Sequence, residues 1–388
     1  MRTINQSKNR KLSCETMNLE NLHTLIDRYE ENYYMLNDSD HDEKFKWAAT
    51  RGFRDVWFSK EYENLPFSKK FDLAMKCSSI MINNSMISPT TGIVKMAEQK
   101  PQEIEVLFTE LLYAPFDSIE QLQEHMDTFL DKTEAIRQEL FPRFYRYKQD
   151  RHAVSCYLAF FAPESHFVYR YSDAEEFALR IEFGKDLGSG SSFSLSNYYE
   201  MANAVVQAFK EHPSLIEKHD NLFKDSDTYY YDESLHLMAF DLMYCCRCYN
   251  FYGNMEYAKK KDSIKAYTAK QIKEKEQLEH KQKIEETESA IHQIDVDIDE
   301  YREISLLGVE VTQDKYGTGI VIEQENNKIK VQFENEVSTF IINKKYSQRP
   351  HFEDDEDIVE AFTKYDELLQ KRQRLETELR RLRTKITL

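Results

Sequence analysis

The stretch VTQDKYGTGIVIEQENNKIKVQFENE, Val311 to Glu336, decides how this chain is read. Within and around it GVEV, GIVIEQ, KIKVQF and STFII alternate apolar and polar residues with period two, the mark of half-buried strands. ENNK, between the second and third of these runs, is a tight-turn signal. Four short strands make a poor flat sheet with one face in water, so closure into a small barrel is expected.

The flanks of this island are entirely different. From Lys259 the composition shifts to Lys, Glu and Gln, with Ile284, Ile291 and Ile298 spaced by seven and Thr287, Ile294 and Tyr301 between them. After the island, Ile358, Tyr365, Arg372, Leu379 and Ile386 alternate with Ala361, Leu368, Leu375 and Leu382. Both are heptad patterns that want a helical partner. The most local solution is an antiparallel coiled-coil hairpin with the barrel at its tip, because the barrel already holds the arm ends together. The first arm is longer, and its unmatched heptads imply a homodimer through the coiled coil.

Upstream the sequence is rich in large apolar side chains. Of 388 residues 13% are aromatic, with 24 Tyr and 24 Phe, while 9 Gly and 8 Pro are too few for a turn-rich β-sandwich. A mainly α fold follows. Residues 1–40 form an amphipathic lead-in, with Leu19, Leu22, Leu25 or Ile26, Tyr29 and Tyr33 at helical spacing, and residues 41–257 form a helical recognition domain. In the latter, Phe45, Ala48, Ala49, Phe53 and Val56 or Trp57 make one stripe, Pro89 and Pro101 open helices, and HFVYRY reads as a short strand or an extended corner. The first arm spans 258–307, the barrel 308–345 and the second arm 356–388.

The net charge of −17 repels a phosphate backbone on average, so any nucleic-acid contact needs a local basic patch. FPRFYRYKQDR supplies one: Arg143, Arg146, Lys148 and Arg151 alternate with Phe144, Tyr145 and Tyr147, the combination that stacks bases while holding phosphates. Arg143, Tyr145, Arg146, Tyr147, Lys148 and Arg151 are the candidate binding residues for DNA or RNA. The N-terminus lacks the apolar core of a secretion signal, and no run approaches the roughly 18 to 20 apolar residues of a membrane helix. A cytoplasmic protein that contacts no membrane is expected.

Catalytic patterns are weak. Asp173, Glu182 and Lys185 come nearest to a metal-dependent nuclease set, but Glu-Phe-Gly-Lys has the wrong spacing. Asp232, His236 and Asp241 read better as buried groups bonded to helix ends than as metal ligands. His152 and Ser155 lack a nucleophile elbow, and Asp150 is expected to cap a helix with Arg151 paired to a carboxylate. DLGSGSSF reads as a mobile turn rather than a phosphate cradle. Cys245, Cys246 and Cys248 lie in an apolar run with no second Cys pair, so thiols on a buried helix are expected and no metal or other cofactor.

Two resemblances add to this reading. Val311, Gln313, Tyr316, Gly317, Gly319, Val321, Val331 and Phe333 follow the signature of small SH3-like or Tudor-like modules, with Gln313 where those have His. The resemblance covers about 35 residues and implies docking onto protein or nucleic acid, with Tyr316, Gly317, Gly319 and Phe333 shaping the barrel. FKWAA around Trp47, LFTELL, the stretch from Asp150 to Tyr169 and LHLMAFDLMY around Asp241 resemble the N-terminal recognition region of McrB-type restriction NTPases. That family carries a motor after this region, whereas no G-x-x-x-x-G-K-[ST] occurs here. Together they imply a non-enzymatic recognition or adaptor protein of prokaryotic antiviral or restriction defence, binding nucleic acid through the basic patch or a protein through the barrel. A coiled-coil dimeric scaffold and a degenerate metal-dependent nuclease are the alternatives.

Overall fold

Prolines and capping side chains set many of the helix starts. Pro89, Pro101 and Pro213 each sit in the first turn of a helix, where the missing N–H costs nothing. Asn18, Ser118, Asp150 and Ser194 each accept a backbone N–H three residues on. The structure, a computed structural model, describes residues 16–302 and 304–386. Cys14 and the polar start of the lead-in lie outside the described residues, as do the last two residues of the second arm.

The protein is mainly helical. In chain order the helices are α1 (Leu19–Leu36), α2 (Phe45–Trp57), α3 (Phe67–Met75), α4 (Pro89–Gln99), α5 (Pro101–Tyr113), α6 (Ile119–Leu140), α7 (Arg151–Phe161), α8 (Tyr171–Arg180), α9 (Leu195–Phe209), α10 (Pro213–Phe223), α11 (His236–Cys248) and α12 (Lys260–Arg302). Then come β1 (Glu310–Gln313), β2 (Gly317–Glu325), β3 (Lys328–Phe333), β4 (Val337–Ile341) and α13 (Asp355–Ile386). The chain divides into two units, Met1–Ala269 and Lys270–Leu388. No described helix is long and apolar enough to cross a membrane.

The first unit is built on an aromatic core. Trp47 stacks on Phe223 with centroids 4.5 Å apart, Phe53 stacks on Trp57, and Phe108 meets Phe71, Phe129 and Tyr157. The stripe on α2 is rotated from the expected one: Lys46, Trp47, Ala49, Thr50, Phe53 and Trp57 are buried, and Phe45 only partly. Along α1, Leu22, Leu25, Ile26, Tyr29, Tyr33 and Leu36 are all buried, each large apolar side chain contributing about 1.5–3 kcal/mol. His166 to Arg170 forms an extended corner that buries Phe167, Val168 and Tyr169; no strand occurs among the described residues of this unit.

In the second unit β1 to β4 form one antiparallel sheet in sequence order, with a register shift between Val321 and Glu323. β1 and β4 are not paired with each other. The outer edge of β1 instead meets His351 in an isolated bridge at Thr312. The apolar face of the sheet (Val311, Val321, Ile329, Val331, Phe333) is covered by Leu306, Ile342, Phe352 and by Val359 and Phe362 of α13. Ile294 and Ile298 of α12 pack with Tyr365 of α13. Asp295 pairs with Arg372, Glu288 with Arg383 at 2.6 Å, and the His280 Nε2–H donates to the Leu382 carbonyl at 2.7 Å.

Candidate functional site

The basic aromatic segment lies between α6 and α7 and folds as a 3-10 turn, Tyr145–Tyr147. Its backbone is braced from below. The Ser88 N–H donates to the Arg146 carbonyl at 2.7 Å, and Gln149, itself buried, donates to the carbonyls of Pro89 and Tyr147 while accepting from the Tyr157 hydroxyl. A Cβ on Gly92 of α4 would stand 2.4 Å from the Tyr147 carbonyl oxygen, so only glycine permits this approach.

The side chains above this brace divide into two sets. Phe144 stacks on half-buried Tyr147 at 5.5 Å and 12°, and Phe141 meets both edge-on. Phe144 and Tyr145 keep 56% and 59% of their surface in solvent, an unusual state for large aromatic side chains. Arg143 and Arg146 are exposed beside them, and the Lys148 ammonium lies 5.6 Å from the Tyr145 ring. Arg151 is different. As the first residue of α7 it is ion-paired to Asp127 at 2.7 Å and sits over Phe193, so three cations remain for an anion.

The strand-unit residues are shaping groups. Half-buried Tyr316 packs on Phe333 and Phe340 at 5.3 and 6.1 Å. Gly317 has φ +78°, and a Cβ on Gly319 would come within 2.8 Å of Phe333, Val331 and the Gln332 carbonyl. The Gln313 carboxamide oxygen accepts the N–H groups of Lys315 and Tyr316, closing the turn that presents Tyr316.

The other candidate groups do not converge. Asp173 pairs with Arg247, the Glu182 carboxylate accepts the Ala258 N–H at 3.0 Å, and Lys185 pairs with Glu200. Asp232 caps α11, accepting from Leu237 and Met238 at 2.8 and 3.0 Å; burial pushes its carboxyl up to about 6. The His236 ring donates to the Pro163 carbonyl and lies 4.0 Å from Phe167, and burial depresses it to about 4. Both ring nitrogens of His152 face carbonyl oxygens, of Tyr169 and Met81, while the Ser155 hydroxyl is bonded to His152 and Tyr169 backbone. Neither is arranged for attack. Within DLGSGSSF the N–H groups of Gly188 and Ser189 turn inward to Asp186 and Ser192. Cys245 and Cys246 are buried as free thiols, and Cys248 is exposed.

One cluster escaped sequence reasoning. Asp241 meets Glu43 and Cys245 in a buried set with ligand atoms close enough for a metal ion. The ammonium of Lys46 reaches it, bonded to both Glu43 and Asp241, with the Tyr29 hydroxyl donating to Asp241 and the Tyr249 hydroxyl to Glu43. Burial alone would depress the Lys46 ammonium, but the Asp241 and Glu43 charges outweigh it and hold its pKa above the ordinary value. Lys46 therefore supplies the positive charge that these carboxylates need. Its partner Asp241 lies 195 positions away, beyond any periodicity signal.

Comparison with protein-family models, with curated proteins and with solved structures finds no match to this chain.

Proposed function

We propose that this chain is a non-enzymatic recognition module that binds single-stranded nucleic acid on the turn from Phe141 to Lys148. The observation that carries this reading is the pair Phe144 and Tyr145, more than half exposed on a hydrogen-bonded turn and flanked by Arg143, Arg146 and Lys148. Every base offers a face for stacking, worth about 1–3 kcal/mol each, while the cations hold the backbone without reading sequence. A duplex hides its base faces and should bind more weakly.

The second unit serves this module as a docking arm. α12 and α13 pair as an antiparallel coiled-coil hairpin: ion pairs and apolar contacts link rising positions on α12 to falling positions on α13, which supports that arrangement. The sheet, with His351 bridging to β1 and α13 beneath, works as an SH3-like barrel that docks a protein partner. A place in restriction-type defence rests on the resemblance of the helical unit alone. A coiled-coil dimer would use the part of α12 that α13 does not reach.

Fluorescence anisotropy with a labelled 20-nucleotide oligo(dT), its RNA counterpart and a duplex tests the reading. Single strands should bind best, with log K falling against log salt at a slope of about −2, as three cations and roughly −0.7 per contact require. Duplex binding equal to single-strand binding, or none of either, overturns it.

A further inference from the structure

Two backbone hydrogen bonds fix which groups of β4 face away from the sheet. Phe333 N–H donates to Glu336 at one end of the β3–β4 ladder, and Ile342 N–H donates to Asn327 at the other. With Ile329 opposite Phe340 and Val331 opposite Ser338, the antiparallel alternation turns Ser338, Phe340 and Ile342 toward β3. The N–H and C=O groups of Val337, Thr339 and Ile341 therefore point outward. Among the described residues no strand pairs with that edge.

An open edge is normally guarded by a charge, a proline, a bulge or a covering segment. The β1 edge is guarded: Thr312 and His351 exchange both backbone bonds, at 2.9 and 2.7 Å. Among the described residues no charge, proline, bulge or paired segment guards the β4 edge. Val337-Ser338-Thr339-Phe340-Ile341-Ile342 carries no charge and no proline, Val337 is half exposed and Thr339 exposed. Its flanks are charged in opposite senses, with Glu334 and Glu336 before the strand and Lys344 and Lys345 after it, all exposed. Lys315 attracts Glu336 at longer range, but none of the four makes an ion pair among the described residues.

We propose that β4 is a self-association edge, pairing antiparallel with β4 of a second copy of this chain about a two-fold axis at Thr339. Thr339 then faces its own copy and Val337 faces Ile341, so the outward groups exchange about six hydrogen bonds. The same register carries the acidic flank of each copy to the basic flank of the other. β-Branched residues opposite one another suit the pairing. This contact uses neither the basic turn nor the helical arms. The strands alone bury less than the ~800 Å² per partner of a standard interface, so a weak, concentration-dependent dimer is expected.

Sedimentation velocity on the full chain, from micromolar to several hundred micromolar, tests this. Charge reversal of either flank, by Glu334→Lys with Glu336→Lys or by Lys344→Glu with Lys345→Glu, should weaken the dimer about tenfold; all four together should restore it. Thr339→Pro removes an outward N–H, spares the β3 ladder and should abolish the dimer. Hydrogen exchange of the unaltered chain gives a reading independent of variants: Val337, Thr339 and Ile341 amides should slow as concentration rises. No self-association across the range, a dimer indifferent to both charge reversals and Thr339→Pro, or exchange at these amides that ignores concentration overturns the proposal.

Discussion

Replacing Lys46 by Met keeps the volume of its stem and deletes its charge. The variant leaves Glu43 and Asp241 in the core with the Tyr249 hydroxyl donating to Glu43 and the Tyr29 hydroxyl and Cys245 thiol donating to Asp241, but no positive charge. Removing one partner of a buried ion pair costs about 3–5 kcal/mol, because the charge left behind is neither hydrated nor neutralised. Lys46 is 1% exposed and serves two carboxylates, so the upper half of that range is expected. Both tryptophans of the chain, Trp47 and Trp57, lie on α2, the helix that carries Lys46, so their fluorescence reports the first unit and not the second. In a urea titration with a slope of about 2–3 kcal/mol per molar, a loss of ~4 kcal/mol moves the midpoint down by roughly 1.5 M. Adding Glu43→Gln and Asp241→Asn should recover part of it, since neutral amides leave no unpaired charge. A shift worth less than ~1 kcal/mol, the value of an exposed pair such as Arg51 with Asp55, would refute the reasoning.

Three further outcomes are expected. Burial depresses His166 to about 3 and His219 and His236 to about 4, so below pH 6.5 the unfolded chain takes up protons that the folded one refuses. Stability of the first unit should be fully present above pH 6.5 and be lost as pH falls toward 4. Asp232, pushed up to about 6, acts oppositely by holding a proton in the fold between its unfolded value and 6; Asp232→Asn should therefore steepen the loss, and stability flat from pH 7 to 5 would contradict these assignments. Gly92→Ala drives a Cβ into Tyr147 and should cost about 1–3 kcal/mol and weaken oligonucleotide binding, whereas Gly52→Ala, whose Cβ meets Cys77 at 3.4 Å, should do neither. Phe362→Ala uncovers the sheet and should cost about 3–5 kcal/mol, visible by circular dichroism or hydrogen exchange while tryptophan fluorescence stays unchanged.

What was legible in the sequence had a local cause. Pro89 and Pro101 open helices because a fixed φ suits a first turn, Asp150 caps α7 through its own carboxylate, and the four strand runs announce themselves by alternation. Non-local features were not legible. The heptad spacing of both arms predicts a seam, yet Val359 and Phe362 turn to the sheet while Tyr365 turns to α12, a division that no seven-residue period encodes. Burial of a lysine inside the α2 stripe depends on Asp241, which sits on another helix. At the basic turn, composition pointed to the residues, but only the fold separates exposed Phe144 and Tyr145 from the supporting Tyr147 and from Arg151, already paired with Asp127.

The most direct measurement is the affinity of a Phe144→Ala, Tyr145→Ala double variant for a labelled single-stranded oligonucleotide, with tryptophan fluorescence and urea midpoint as checks on its fold. Loss of two stacking platforms at about 1–3 kcal/mol each predicts binding weakened by roughly thirtyfold or more, with the salt slope unchanged because the three cations remain. An unaltered affinity in a variant that folds like the parent would contradict the assignment of the turn as the recognition surface.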